Sequence, residues 1–257
     1  DEYQNARFQS EMMTFQTLHI EKNNNVLTLF LNRPEKRNAL NALMCQELRA
    51  ALAAFDHDET VSMLLIRSKG PVFCAGADLA ERKTMSPNDV RARRLIAFAA
   101  YDAIEKLSKP SISILEGAAI GSGAEIATAC DFSIGTENAS FRYPEVGWGT
   151  IGATQRLPEI VGRRHAKNLL FTGREVGAHE ALALGLISQL VQSKDLDDYL
   201  EELTKKIAQA PTVAIKSTKK CVDEATGIRR QAALGTELLA IENLMMGEQW
   251  KGNIQDF

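Results

Sequence analysis

EGAAIGSGAEIATACD, Glu116 to Asp131, joins two short apolar runs and carries the sharpest local signal in the chain. Before it, Ser111 to Leu115 reads as a strand buried on both faces, and after it Phe132 to Ile134 reads as another. Glycines at 117, 121 and 123 precede an apolar helix predicted from about Ala124. Such a helix start aims backbone N–H groups and the positive end of the dipole at whatever lies before it. The spacing is not that of a dinucleotide fold, since Gly121 and Gly123 are followed at 126 by Ile, and a Walker Lys-Ser/Thr is absent. Alone, a glycine-rich turn of this kind reads as packing more often than as a site.

Upstream, the pattern repeats. Val61 to Ile66 is a nearly continuous apolar run, hence a buried strand, and FCAGADL (Phe73 to Leu79) follows it. Gly76 between two alanines lets the backbone approach a ligand closely. Asn41 caps a helix with an apolar stripe at Met44, Leu48, Leu52 and Phe55. Ser86-Pro87 opens a second helix, which turns Phe98, Tyr101 and Ile104 inward and ends before Pro110. At the front, residues 15–21 and 25–31 read as a hairpin around Asn23, Asn24 and Asn25. The recurring strand, strand, helix order predicts ββα units in a mixed α/β fold. From about Leu196 the character changes: 196–208, 212–225 and 229–246 are helical by period. The division expected is a core over 1–195 and a helical segment over 196–257. Within the latter, Leu234, Leu238, Ile241 and Met245 form a stripe that the core or a neighbouring chain must cover.

Composition removes several classes of function. The chain has 257 residues, 45% hydrophobic and 25% charged, with a net charge of −3. That balance gives no reason to expect nucleic acid as a partner. The short basic runs, Arg91, Arg93 and Arg94, and Lys216, Lys219 and Lys220, read as solvated helix faces. No apolar run approaches the ~20 residues of a membrane span. Cys45, Cys74, Cys130 and Cys221 form no CxxC pair and stand at no metal-ligand spacing from the four histidines. No metal site is expected, and a reducing compartment is. The opening DEYQNARFQSEMM has the character of neither a secretory signal nor an Arg-rich transit peptide. A cytoplasmic location is therefore expected, or the mitochondrial matrix or peroxisome in a eukaryote.

A third segment, FRYPEVGWG (Phe141 to Gly149), sets Glu145 after a proline and before two glycines. A lone loop Glu is usually solvated. The order of all these segments changes the odds. FCAGADL, then a glycine-rich helix start with Glu125, then Pro144-Glu145, resembles the crotonase (enoyl-CoA hydratase/isomerase) superfamily. LNRPEKRNALN (31–41) and TGREVGAHEALALGL (172–186) resemble family stretches as well, so the likeness runs from about residue 16 to 192.

The resemblance implies a crotonase-like spiral of ββα units followed by helices, and a specific site. Backbone N–H groups of Ala77 and Ser122 would bind a thioester carbonyl oxygen. Glu125 and Glu145, 20 residues apart, would hold water and exchange protons with substrate. Lys36, Arg37, Ala75, Asp78, Leu79, Arg82 and Lys83 would meet coenzyme A; relatives often carry a Lys where this chain has Ala80. Trp148 is a candidate wall of the acyl pocket, or simply core filler. Coenzyme A is part of the substrate, so no separate cofactor is implied, and the family's habit is a homotrimer or a dimer of trimers.

The implied chemistry has clear physical needs. Adding water to an α,β-unsaturated thioester builds negative charge on the carbonyl oxygen, and each fixed donor there is worth about 3–4 kcal/mol. Positioned carboxyls moving protons contribute roughly 10²–10⁴-fold. The activity implied is enoyl-CoA hydration, with Δ3,Δ2-enoyl-CoA isomerisation as the alternative. RNA binding and a catalytically weakened role are more remote. One departure stands out: after Glu145, VGWGTIGATQRL is shorter than the PGAGGTQRL-type stretch of typical hydratases.

Overall fold

The computed structural model describes residues 15–223 together with Glu242. Leu18–Asn23 (β1) and Val26–Leu31 (β2) pair antiparallel, with Asn23 opposite Val26. Asn24 turns the chain at φ 52, a left-handed conformation that Asn tolerates. Helix α1 (Ala42–His57) starts where Asn41 accepts the Met44 N–H, and it buries the anticipated stripe of Met44, Leu48, Leu52 and Phe55. Strand β3 (Met63–Ser68) follows, then a single turn α2 (Leu79–Arg82) and the long helix α3 (Pro87–Glu105). A Ser86–Asp89 capping box fixes the start of α3.

The remaining elements build the second half. They are β4 (Ser111–Leu115), β5 (Ala118–Ile120), α4 (Ser122–Ala129), β6 (Phe132–Thr136) and β7 (Ser140–Arg142). After them come α5 (Arg156–Thr172, kinked at Gly162), β8 (Glu175–Gly177), α6 (Ala178–Leu184), β9 (Gln189–Val191) and α7 (Leu196–Ala208).

The main sheet has the order β1-β2-β3-β4-β6-β9, and every pairing after the first hairpin is parallel. Both of its faces are covered, which explains the unbroken apolar strands. Leu64 and Ile66 belong to the large cluster that includes residues of α1 and α3. Leu65, Ile112, Ile114 and Ile134 point the other way, onto Leu196 and Leu200 of α7. The helix that opens the C-terminal segment is thus packed on the back of the core sheet.

Two details differ from the sequence reading, both in the glycine-rich stretch. Helix α4 begins at Ser122, two residues earlier than anticipated, and Ala118–Ile120 is a strand. Three small or branched residues carry little periodic signal, yet they pair with β7, which in turn pairs with β8, to form a second sheet. Residues 212–223 are helical as anticipated, whereas the stripe of Leu234, Leu238, Ile241 and Met245 lies outside the described residues. Among the described residues, no helix is long and apolar enough to cross a membrane.

Candidate active site

The two glycine-bearing segments meet edge to edge. Cys74 bridges Ala119 of β5, while Ala77 bridges Leu40. The Leu40 N–H donates to Gly76 O at 2.7 Å and the Asp78 N–H donates to Leu40 O at 2.9 Å. That pattern directs the intervening Ala77 N–H away from the Leu40 side. The Ser122 N–H opens α4 and is one of the orphan donors of a helix start. Gly76, at φ +94, joins the two donors: a Cβ there would sit 2.9 Å from Ile120 O and 3.9 Å from Ser122 N. Only a residue without a side chain allows this approach. Ala77 and Ser122 both line one cavity of about 580 Å³.

Glu125 and Glu145 line the same cavity. Glu125 lies in the first turn of α4 and is 6% exposed. Its Oε1 accepts the Ala153 N–H at 2.6 Å, and its Oε2 accepts Arg156 Nη1 at 3.2 Å. Arg156 also donates through Nη2 to Glu105 on α3, at 2.7 Å. Glu145 begins a 3-10 turn, Glu145–Trp148, which closes on Gly149 at φ 68. Its carboxyl lies between two glycines, where a Cβ on Gly121 would come within 2.7 Å of Oε1 and one on Gly152 within 3.2 Å. Burial holds the phenol of Tyr143 well above its usual pKa, and the charges of Glu125 and Glu145 push it further up. Both carboxylates therefore lie within electrostatic reach of one buried ring. Tyr101 is also raised, by burial first and then by Cys45 and Glu125, with the Ser122 side chain acting in the opposite direction.

Of the residues assigned to coenzyme A, Arg37, Ala75, Leu79 and Arg82 line the cavity. Lys36 and Lys83 are exposed and are not part of that lining. Asp78 has a structural job: its Oδ1 accepts the Ala80 and Glu81 N–H groups to cap α2, and its Oδ2 pairs with Arg33 at 2.9 Å. Trp148 lines the cavity and packs on Val90 with Met85. The shortened stretch after Glu145 still delivers Ala153 to Glu125, with Ala153 at φ 54. Sequence reasoning missed Ala153, Arg156 and Glu105, and it did not place Arg93 or Arg94 on the cavity. The one available signal was the i, i+4 spacing of Val90, Arg94 and Phe98 on α3. Cys45, Cys74 and Cys130 are buried and Cys221 is exposed. The described residues contain no group of three or more His, Cys, Asp or Glu able to hold a metal ion.

Comparison with known proteins bears on the same site. A probable mitochondrial enoyl-CoA hydratase 2 of Arabidopsis thaliana is 41% identical over 217 residues, covering 83% of this chain and 71% of that protein. A short-chain-enoyl-CoA hydratase of Clostridium acetobutylicum is 32% identical over 249 residues, 95% of each chain. The fold matches the crystal structure of an enoyl-CoA hydratase from Bacillus halodurans with a TM-score of 0.88, at 24% identity, over 94% of this chain and 100% of that one. The family model described as enoyl-CoA hydratase/isomerase matches residues 21–257. A match over nearly the whole chain, on a fold that brings Glu125, Glu145, Ala77 and Ser122 to one cavity, has one reading: the chain belongs to the enoyl-CoA hydratase/isomerase family.

Proposed function

We propose that this protein adds water across the double bond of a 2-enoyl-CoA thioester. The observation that carries the proposal is the convergence of two carboxylates, Glu125 and Glu145, on the cavity lined by Ala77 and Ser122. The thioester carbonyl oxygen would accept from the Ala77 and Ser122 N–H groups, which stabilise the enolate as the β-carbon is attacked. A water held between the glutamates gives one proton to a carboxylate while its oxygen bonds to the β-carbon. A carboxyl returns a proton to the α-carbon, so the sum is one water added and no net charge. Arg37, Ala75 and Leu79 would receive the coenzyme, with Lys36 and Lys83 reaching its charged end from outside. Coenzyme A arrives with the substrate, and this chemistry calls for no other cofactor. A homotrimer, or a dimer of trimers, is the assembly that goes with this reading.

One observation favours isomerisation as a second reading. Arg156 and the Ala153 N–H already engage both oxygens of Glu125. A single carboxyl, Glu145, could then shuttle a proton between the α- and γ-carbons of a 3-enoyl thioester. Assaying 2-enoyl- and 3-enoyl-CoA esters of matched length separates the readings. Hydration outpacing isomerisation supports the first, and isomerisation without hydration overturns it.

A further inference from the structure

One short stretch of chain, Ala153 to Arg156, grips both oxygens of Glu125. The Ala153 N–H reaches Oε1 at 2.6 Å and Arg156 Nη1 reaches Oε2 at 3.2 Å. To aim that N–H, Ala153 sits at φ 54, a left-handed conformation uncommon outside glycine. Backbone held in such a region beside a cavity marks a geometry with a function.

Arg156 opens α5 and serves a second partner. Its Nη2 holds Glu105, the last residue of α3, at 2.7 Å, and its guanidinium carbon lies 5.9 Å from the centre of the Tyr101 ring. One planar fork thus spans carboxylates on two helices, which the point charge of a lysine cannot match. Other titratable groups face the same place. The charge of Glu125 acts on Tyr101 of α3 and on Tyr143, and Glu145 also acts on Tyr143. Cys45 of α1 and Arg93 of α3 act on Tyr101 too, but the Arg93 guanidinium is bound to Glu81 and to Leu40 O. Arg156 is the cation in contact with Glu125.

A buried carboxyl that shares a cavity with another takes up a proton readily, unless a cation or hydrogen-bond donors hold it charged. Glu125 has both, and its place in the first turn of α4 adds the helix dipole. Glu105 draws on the same guanidinium from nearer the solvent, with its side chain 21% exposed.

We infer that Arg156 is a positioning residue for the reaction, keeping Glu125 oriented and ionised at the cavity, and that Glu105 sets how firmly it does so. The inference rests on the hydratase reading above and adds the group that keeps one carboxylate ready to accept a proton. Arg156 does not line the cavity, so it acts through Glu125. Its two carboxylate contacts make opposite demands on a pH profile. Removing the cation lets Glu125 take up a proton at higher pH, so the acid limb of the rate should move up. Removing the Glu105 charge leaves the guanidinium to Glu125 and takes away a negative neighbour, so the limb should move down. A purely structural role moves neither.

The test is the pH dependence of kcat/KM for crotonyl-CoA hydration by wild type, Arg156→Gln, Arg156→Lys and Glu105→Gln, with far-ultraviolet dichroism confirming each fold. In Arg156→Gln the acid limb should rise by about one pH unit or more, and activity should recover above it. Arg156→Lys should reverse part of that shift. Glu105→Gln keeps the guanidinium on Glu125 and is the milder change, so it decides the matter alone if Arg156→Gln does not fold. Its limb should fall by about half a unit, with KM near that of wild type. A limb unmoved in the folded variants, or an equal loss at every pH, overturns the inference and leaves the hydratase reading in place. No hydration by wild type contradicts that reading itself, and the inference falls with it.

Discussion

Arg156 bridges Glu125 on α4 and Glu105 on α3, holding the first at 3.2 Å and the second at 2.7 Å. Side-chain exposures of 11% for Arg156 and 8% for Glu125 make this a buried pair. A carboxylate that must stay in one rotamer beside a substrate gains its orientation from such a partner. Arg156→Met leaves two carboxylates poorly compensated, so unfolding free energy in urea should drop by about 3–5 kcal/mol. Glu105→Gln keeps the Arg156 contact to Glu125 and should cost less than half of that. Equal costs for the two variants would show that Glu105, and not Glu125, is the partner that matters.

The placement of Glu145 depends on Gly121. A methyl group at Gly121 would lie 2.7 Å from Glu145 Oε1, at a φ of +50 that L residues rarely adopt. Gly121→Ala should displace the carboxyl and lower kcat by about 10²-fold, comparable to losing a proton-transfer group. A Cβ on Gly147 would meet nothing within 4 Å, so Gly147→Ala should turn over near the wild-type rate. Equal activity in both variants would mean that the position of Glu145 does not limit catalysis.

Much of this was legible in the sequence, for identifiable reasons. The α1 stripe and the Asn41 and Ser86 caps are local signals, set by side chains within a few residues of one another. Strands β3 and β4 read as apolar runs because both sheet faces are covered. Strand β5 was not legible, because Ala118, Ala119 and Ile120 become a strand only by pairing with Ser140 to Arg142. The same limit applies to the site. Glu125 and Glu145 could be named because their spacing resembles a family pattern, whereas the Arg156 bridge joins α3, α4 and α5 across 51 positions of sequence. Asp78 shows the converse: a residue inside a motif whose side chain caps a helix and pairs with Arg33.

The oxyanion assignment can be tested at one backbone atom. The Ala77 N–H is not part of the bridge bonds to Leu40, which use Gly76 O and the Asp78 N–H. Ala77→Pro therefore removes the donor without breaking that bridge, and turnover should fall by about 10²–10³-fold. Turnover within about twofold of wild type in a folded variant would assign the oxyanion to other donors.

The cysteines give a prediction about pH. Burial pushes the thiol of Cys45 up to about 11 and those of Cys74 and Cys130 up to about 12. Below those values the neutral thiol persists, so at pH 8 all three should resist a thiol reagent in the native protein. Exposed Cys221 should react, giving one labelled thiol by mass spectrometry before denaturation and four after it. Labelling of Cys74 in native protein would contradict its full burial.

The central claim is that Glu125 and Glu145 act on one water. Glu125→Gln and Glu145→Gln keep the side-chain shape and remove an ionisable group, so each should lower kcat for hydration by about 10²-fold or more. The double variant should be little slower than the slower single one, because groups acting as a unit are not additive. If Glu145 alone shuttles a proton, Glu145→Gln abolishes 3-enoyl to 2-enoyl conversion while Glu125→Gln retains most of it. The most direct measurement is the kcat for crotonyl-CoA hydration by Glu125→Gln beside wild type. A loss of about 10²-fold is the result expected, and an unchanged rate would contradict the account.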